Sequence, residues 1–268
     1  MKKIDNFTHE RAENISEMNK DDNINKLGLN FLRESVVFNY SYNFDWLSRP
    51  IIQYPQDIIA TQEIIWKVKP DLIIETGIAH GGSLVLSASI LALLDYSDAL
   101  ETGSLLDPKL PNRKVIGVDI DIREHNLKAL NQHPMRNRME LIEGSSVDPD
   151  IINRIYDLSK DYKCILVLLD SNHTHDHVLS ELYAYSKLVS RGSYCVVFDS
   201  VIEDLPNDSS GGRPWGTGNN PKTAVWEFLK DNNDFEIDKD IENKLLITVA
   251  PDGYLKRRNN ISKNTINY

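Results

Sequence analysis

The sequence predicts a doubly wound α/β protein built on a mostly parallel sheet, and three observations carry that expectation. From Asp71 onward, short and nearly continuous apolar runs alternate with amphipathic stretches of helical length, as strands buried on both faces alternate with the helices that cover them. Several runs end in a glycine or an acid (Gly77, Asp119, Asp170 and Asp199), at the strand ends where such a sheet binds its ligands. The last two apolar runs follow one another closely, as the two arms of a hairpin would, which gives the sheet an antiparallel finish.

The chain has 268 residues, enough for one large domain with a sizeable core and an N-terminal extension. Its 41% hydrophobic and 26% charged residues are ordinary for a soluble globular protein. No apolar run approaches the ~20 residues of a membrane helix. The net charge of −10 argues against a nucleic-acid partner, which would need a basic face, and Lys256, Arg257 and Arg258 read as a solvated tail. Lys2 and Lys3 are followed by polar and acidic residues rather than by the apolar stretch of a signal peptide. Cys164 and Cys195 lie inside apolar runs and read as free core thiols. A cytoplasmic location is the expectation.

Taken in order, residues up to about Asn30 are polar and without sustained periodicity, and read as a loosely ordered or helical arm. Val36 to Ile58 is rich in aromatics and interrupted by Pro50 and Pro55, which suits a folded-over, lid-like segment better than a regular element. Residues 1–58 therefore form an arm and lid, and 59–268 the main domain. Leu72 to Gly77 is the first strand of that domain and Ser83 to Leu94 its helix. Lys114 to Ile120, Met139 to Ser145, Cys164 to Ser171 and Ser193 to Ser200 repeat the strand pattern. His175 to Val189 is the clearest helix, with Val178, Leu182, Tyr185 and Val189 on one face. Asn207 to Pro221 is a glycine-rich loop long enough to suggest function, with disorder as the competing reading. Phe235 to Ile241 and Leu245 to Arg257 form the closing hairpin, with only Glu-Asn-Lys between them.

The first strand end reads Glu75-Thr76-Gly77, followed by Gly81, Gly82 and Ser83. Gly77 permits a tight turn, and the later glycines let a ligand approach backbone at a helix start. The spacing is not G-x-G-x-x-G, and Glu75 would repel a pyrophosphate. It suits instead a cationic ligand such as the ammonium and sulfonium end of S-adenosylmethionine. Asp119, with Asp121 just after it, is placed to accept from ribose hydroxyls. Ser145, between Gly144 and Ser146, is placed to meet an adenine edge. Each of these alone is as often a plain turn or a solvated acid. In strand order they describe a nucleoside-cofactor site.

The fourth strand ends in Asp170 and the fifth in Asp199. Neighbouring strand ends lie ~5 Å apart, so the two carboxylates face one cavity and either share a proton or bind a cation. With Ser200 as a further oxygen ligand, a hard ion such as Mg²⁺ is favoured. His173 is close enough to act as general base on a hydroxyl made acidic by that ion. A helix-capping aspartate and a packed histidine are the alternatives. His173 to His177 resembles a hydrolase zinc run of the H-x-H-x-D-H kind but lacks one residue, which puts Asp176 and His177 out of phase.

Between about Tyr54 and Tyr254 the segments ETGIAHGGS, IGVDID, LLDSNHTHDHVLSEL, LVSRGSYCVVFDS, NNPKTAVWEFL and NKLLITVAPDGYL resemble the cephalosporin hydroxylase family. That family has the class I methyltransferase fold and includes rhamnosyl O-methyltransferases. The resemblance implies a seven-stranded, Rossmann-like methyltransferase sheet with an antiparallel C-terminal hairpin, and S-adenosylmethionine as cofactor. It implies a metal-ligand and base pair at Asp170 and His173. It also implies a Glu-Asp pair at the fifth strand end, where Phe198 here replaces the Glu and Asp199 remains; water or a serine hydroxyl would fill the gap. The expected function is divalent-metal-assisted O-methylation of a hydroxyl on a sugar or nucleotide-linked sugar. A metal-dependent oxygenase at the same site and a non-catalytic nucleoside-binding module are the alternatives. Tyr42, Trp46, Arg213, Trp215 and Asn219 lie in the segments expected to cover the cavity. The expected partners are a small-molecule acceptor and further copies of the chain, with no nucleic acid and no membrane.

Overall fold

The computed structural model of the chain describes residues 2–206 and 212–259. The N-terminal arm takes the helical form, as α1 (Lys2–Lys20) and α2 (Asp22–Val36). Asp21 separates the two and caps α2, accepting from the amides of Asn23 and Ile24. Leu32 and Ser35 of α2 are buried, and the Ser35 hydroxyl lies 2.8 Å from that of Tyr54.

The aromatic segment is more regular than its prolines suggest. It forms a 3₁₀ turn (Tyr40–Tyr42), an antiparallel pair β1 (Phe44–Trp46) and β2 (Arg49–Ile51), and the start of α3 (Pro55–Val68). Pro50 is tolerated because the pair has only edge strands, and Pro55 because the first turn of a helix has no use for its missing N–H.

The main sheet is laid down by β3 (Leu72–Thr76), β4 (Lys114–Asp119), β5 (Met139–Glu143), β6 (Ile165–Leu169), β7 (Tyr194–Val197), β8 (Phe235–Ile237) and β9 (Tyr254–Arg257). Their spatial order is β5-β4-β3-β6-β7-β9-β8; β3 to β7 run parallel, and β9 is antiparallel to both of its neighbours. Side-chain alternation divides the core in two. Ile73, Leu168 and Val196 pack with α3, α4 (Gly82–Thr102) and α5 (Glu124–Asn131). Ile74, Val167 and Cys195 pack with α6 (Pro149–Ser159), α7 (His175–Tyr185) and α8 (Pro221–Asp231).

Three expectations are corrected. The antiparallel finish is present, but its arms are joined through α9 (Lys239–Leu245) and a following loop rather than by a tight turn. Ile241 and Leu245, one helical turn apart, pack against the core, and that burial favours helix over turn. The second correction concerns α4, which is long and apolar enough by composition to cross a membrane. About 56% of its most apolar window is buried, as suits the core helix it is. The third is Arg257, which is no solvated tail residue: it donates to the Val189 carbonyl (2.6 Å) and pairs with Asp234 (3.1 Å). Of the glycine-rich loop, residues 207–211 lie outside the described residues.

Strand order reverses between β3 and β6. That switch point is where a doubly wound sheet opens a crevice, and it brings Gly77 and Asp170 side by side.

Candidate active site

Gly77 has φ +89°, and a Cβ there would come 2.0 Å from the Asp170 carbonyl oxygen. No other residue fits between the two strand ends. Backbone bonds lock the junction: Gly77 N donates to Val118 O (2.8 Å) and Asp170 N to Thr76 O (2.9 Å). Asp119 then pins the turn. Its Oδ2 accepts from Ile78 N (2.8 Å) and Ala79 N (3.1 Å), and its Oδ1 from Asp121 N (3.1 Å). The acid expected to meet a ribose is therefore also the staple of the glycine turn. Gly81, at φ +83°, lies against Leu130.

The β1–β2 segment belongs to this turn. Arg49 donates to the His80 carbonyl and to Asn126, and Gly82 sits directly under Pro50 and Ile51, where no Cβ would fit. Trp46 donates from its indole to Ser89 of α4 (3.0 Å).

Glu75 is buried, only 1% exposed. Its Oε1 accepts a short bond from Ser83, while its Oε2 finds no partner among the described residues. Burial pushes its carboxyl up to about 8, against which the Ser83 bond works only in part. Thr76 is also buried and its hydroxyl has no partner among the described residues. Ser145 is half-buried at the third strand end, with its carbonyl accepting from Asp148 N (3.0 Å). Beside it, Ser146 Oγ lies 3.1 Å from His177 Nε2, and Ser171 Oγ donates to the buried Glu181 (2.7 Å).

At the ends of β6 and β7, one ligand atom each from Asp170, His173 and Asp199 gathers within 4.8 Å of the others. His173 Nε2 is 3.1 Å from Asp199 Oδ2. The Asp170 carboxyl stands well above the usual carboxylate range, first because it is shielded from water and then because Asp199 and Glu75 are near. Asp199 holds the left-handed conformation (φ 56°), a strained choice for a residue with a side chain and a common one at functional sites. Phe198 N donates to Leu169 O (3.0 Å), which carries Asp199 alongside Asp170. Trp215 packs edge-to-face on His173 (4.8 Å, 89°), and the Arg213 guanidinium stands 5.4 Å from the Trp215 ring centre. The loop bearing both is fastened by Asn219, which accepts from His175 N and donates to Pro214 O, both at 2.9 Å.

Of the residues singled out in the sequence, Asp170, His173 and Asp199 thus meet in one cluster, and Glu75 and Ser83 share a small cavity with Asp170. Ser200 departs from its expected place: fully buried, it gives its hydroxyl proton to the Pro251 carbonyl (2.5 Å). His175 and His177 have structural partners, in Thr223 and Glu227 for the first and Ser146 and Glu181 for the second. Neither joins the Asp170 cluster, so the zinc reading loses its ligands. Gln53, which carried no motif, is the residue the sequence hid. Buried between β2 and α3, it donates from Nε2 to Asp170 Oδ2 (3.2 Å).

Two features define what the crevice suits. The carboxylates of Asp170 and Asp199 suit a hard divalent ion, and the His173 imidazole beside them suits a proton acceptor. A small cavity of about 10 Å³ lined by Gln53, Glu75, Ser83 and Asp170, with buried acceptors unpaired among the described residues, suits a small cationic head group.

A switch-point glycine turn, an acid ending the second parallel strand, and carboxylates ending the fourth and fifth define a class I methyltransferase fold. The solved structures agree on the fold. CmcI in an apo-structure matches with TM-score 0.52 and 17% identity over 81% of this chain and 77% of that one. CmcI with Mg-SAM matches with TM-score 0.52 and 17% identity over 81% and 78%. The chain belongs to the Rhamnosyl O-methyltransferase/CmcI family, which it matches over residues 38–258. It is 34% identical over 200 residues to the Rhamnosyl O-methyltransferase of Mycobacterium tuberculosis (strain ATCC 25618 / H37Rv), covering 73% of this chain and 71% of the relative. To that of Mycobacterium leprae (strain TN) it is 27% identical over 218 residues, covering 80% and 82%.

Proposed function

We propose that this chain methylates a hydroxyl of a sugar or nucleotide-linked sugar, using S-adenosylmethionine and a divalent cation, magnesium by the character of the ligands. The observation that carries this reading is the Asp170–His173–Asp199 cluster near the buried Glu75 carboxyl, whose Oε2 has no partner among the described residues. The names of the curated relatives support the sugar. When bound, the donor supplies an electrophilic methyl group on a sulfonium and the cation makes a coordinated hydroxyl more acidic.

The chain's own residues do the rest. Thr76, Gly77 and Gly81 form the turn against which the donor lies, Glu75 and Asp170 meet its positive end, Asp119 its ribose and Ser145 its adenine. Asp170 and Asp199 hold the cation. Ser200, committed to Pro251, contributes by fixing the backbone on which Asp199 stands. His173 takes the proton of the acceptor hydroxyl. In the neutral ring, donation from Nε2 to Asp199 leaves the lone pair on Nδ1, and Asp199 stabilises the imidazolium as it forms. Trp215 limits how far that ring can turn.

A two-histidine, one-carboxylate oxygenase triad is not formed at this cluster, which holds one histidine and two carboxylates. The test is a screen of glycosides and nucleotide sugars for S-adenosylhomocysteine formation, with and without a chelator. Turnover that depends on Mg²⁺ and falls about 10²-fold or more in His173→Ala is expected. Turnover unchanged in His173→Ala would remove the base assignment.

A further inference from the structure

Three buried polar atoms without partners among the described residues belong to side chains that line the small cavity at the ends of β3 and β6. They are Gln53 Oε1, Glu75 Oε2 and Ser87 Oγ, unpaired among the described residues. Their side chains line the cavity together with Ser83, Asp170 and Phe198. Gln53 is 6% exposed, Glu75 1% and Ser87 fully buried, so none is satisfied by bulk water. Acceptors buried in this way are unfavourable until a donor reaches them.

The chemistry of the walls narrows what that donor is. Two carboxylates border the cavity and no lysine, arginine or histidine does, so a positive group is favoured. The cavity is about 10 Å³, room for a head group the size of a water, and Ile58, Leu86 and Leu168 border it beside Thr61. A primary ammonium on an alkyl stem brings three N–H donors to the two acceptors and the hydroxyl.

We propose that Gln53 reads the α-ammonium of the methyl donor, accepting from it through Oε1 beside Glu75 Oε2 while Nε2 stays on Asp170. The inference rests on the donor assigned under Proposed function and adds a residue from outside the glycine turn. Gln53 lies two residues after the end of β2, so the chain leaving the β1–β2 pair contributes a binding group as well as cover. Through its two ends the amide joins the amino-acid end of the donor to the carboxylate that holds the cation.

Calorimetry with two ligands separates this role from a merely structural one. S-Adenosylhomocysteine carries the ammonium, whereas 5′-methylthioadenosine keeps the nucleoside and the sulfur but lacks the amino-acid end. Gln53→Met preserves length and Gln53→Leu preserves burial; both remove the amide. In at least one of them S-adenosylhomocysteine should bind about tenfold weaker or worse while 5′-methylthioadenosine stays within about twofold of wild type. Unchanged nucleoside affinity also reports an intact fold. Absence of a selective loss in both variants would overturn the role of Gln53 and leave the cavity a water site. A wild-type protein that binds neither ligand would overturn the donor assignment itself.

Discussion

At the scale of single residues, Glu75 carries the most pronounced electrostatic consequence. Folded, it holds its proton more tightly than an ordinary glutamate, about 8 against 4.5. Its contribution to stability is therefore whole below the lower value and is lost as pH rises through the higher one. Ligand-free wild type should lose stability between about pH 4.5 and pH 8 more steeply than Glu75→Gln, as urea midpoints would show. Parallel slopes in the two proteins would contradict the assignment. Phe198 poses the opposite experiment. It is 5% exposed and shares a cavity with Glu75 and Asp170, so Phe198→Glu would bury a further carboxylate among them. Without a cation that substitution should cost about 2 kcal/mol or more, and Mg²⁺ should raise its Tm more than it raises that of wild type. Acids at strand ends were legible because an acid closing an apolar run is conspicuous. Gln53 was not, since an amide between a strand and a helix has no pattern and its importance arises only where the fold brings it to Asp170.

At the scale of elements, the glycine turn is the least replaceable part. Gly77→Ala would have to hold alanine at φ +89° and push apart β3 and β6 at the Asp170 carbonyl. It should destabilise the chain by at least about 2 kcal/mol and weaken S-adenosylhomocysteine binding as well, measured by urea unfolding and calorimetry. A near-neutral effect would mean that the two strand ends can separate freely. The parallel strands were plain in the sequence because burial on both faces leaves unbroken apolar runs. The elements whose form the sequence conceals are those whose signal is tertiary. The β1–β2 pair and its Pro50 are held by Arg49 on the His80 carbonyl and by Trp46 on Ser89, contacts far away in sequence. The seven residues of α9 are helical because Ile241 and Leu245 find the core, while local chemistry alone suggested a turn. Ser200 looked like a ligand beside Asp199 until the fold supplied Pro251 as its acceptor.

For the molecule as a whole, the account is one of a sheet whose order reverses between β3 and β6, with negative groups concentrated at that reversal. Glu75, Asp170 and Asp199 come from three different strand ends, so the chain gathers there a charge that it can hold comfortably only with cations present. A sulfonium donor with an ammonium at its end and a divalent ion would together meet that demand, which ties cofactor binding to the protonation of the site. The most direct test is a calorimetric titration with S-adenosylhomocysteine near pH 7, run with and without Mg²⁺ in two buffers of different ionisation enthalpy. Saturable binding whose apparent heat changes with the buffer, showing a proton released as the ligand's ammonium displaces it from Glu75, is the result predicted. No binding in either buffer, with or without Mg²⁺, would contradict the account.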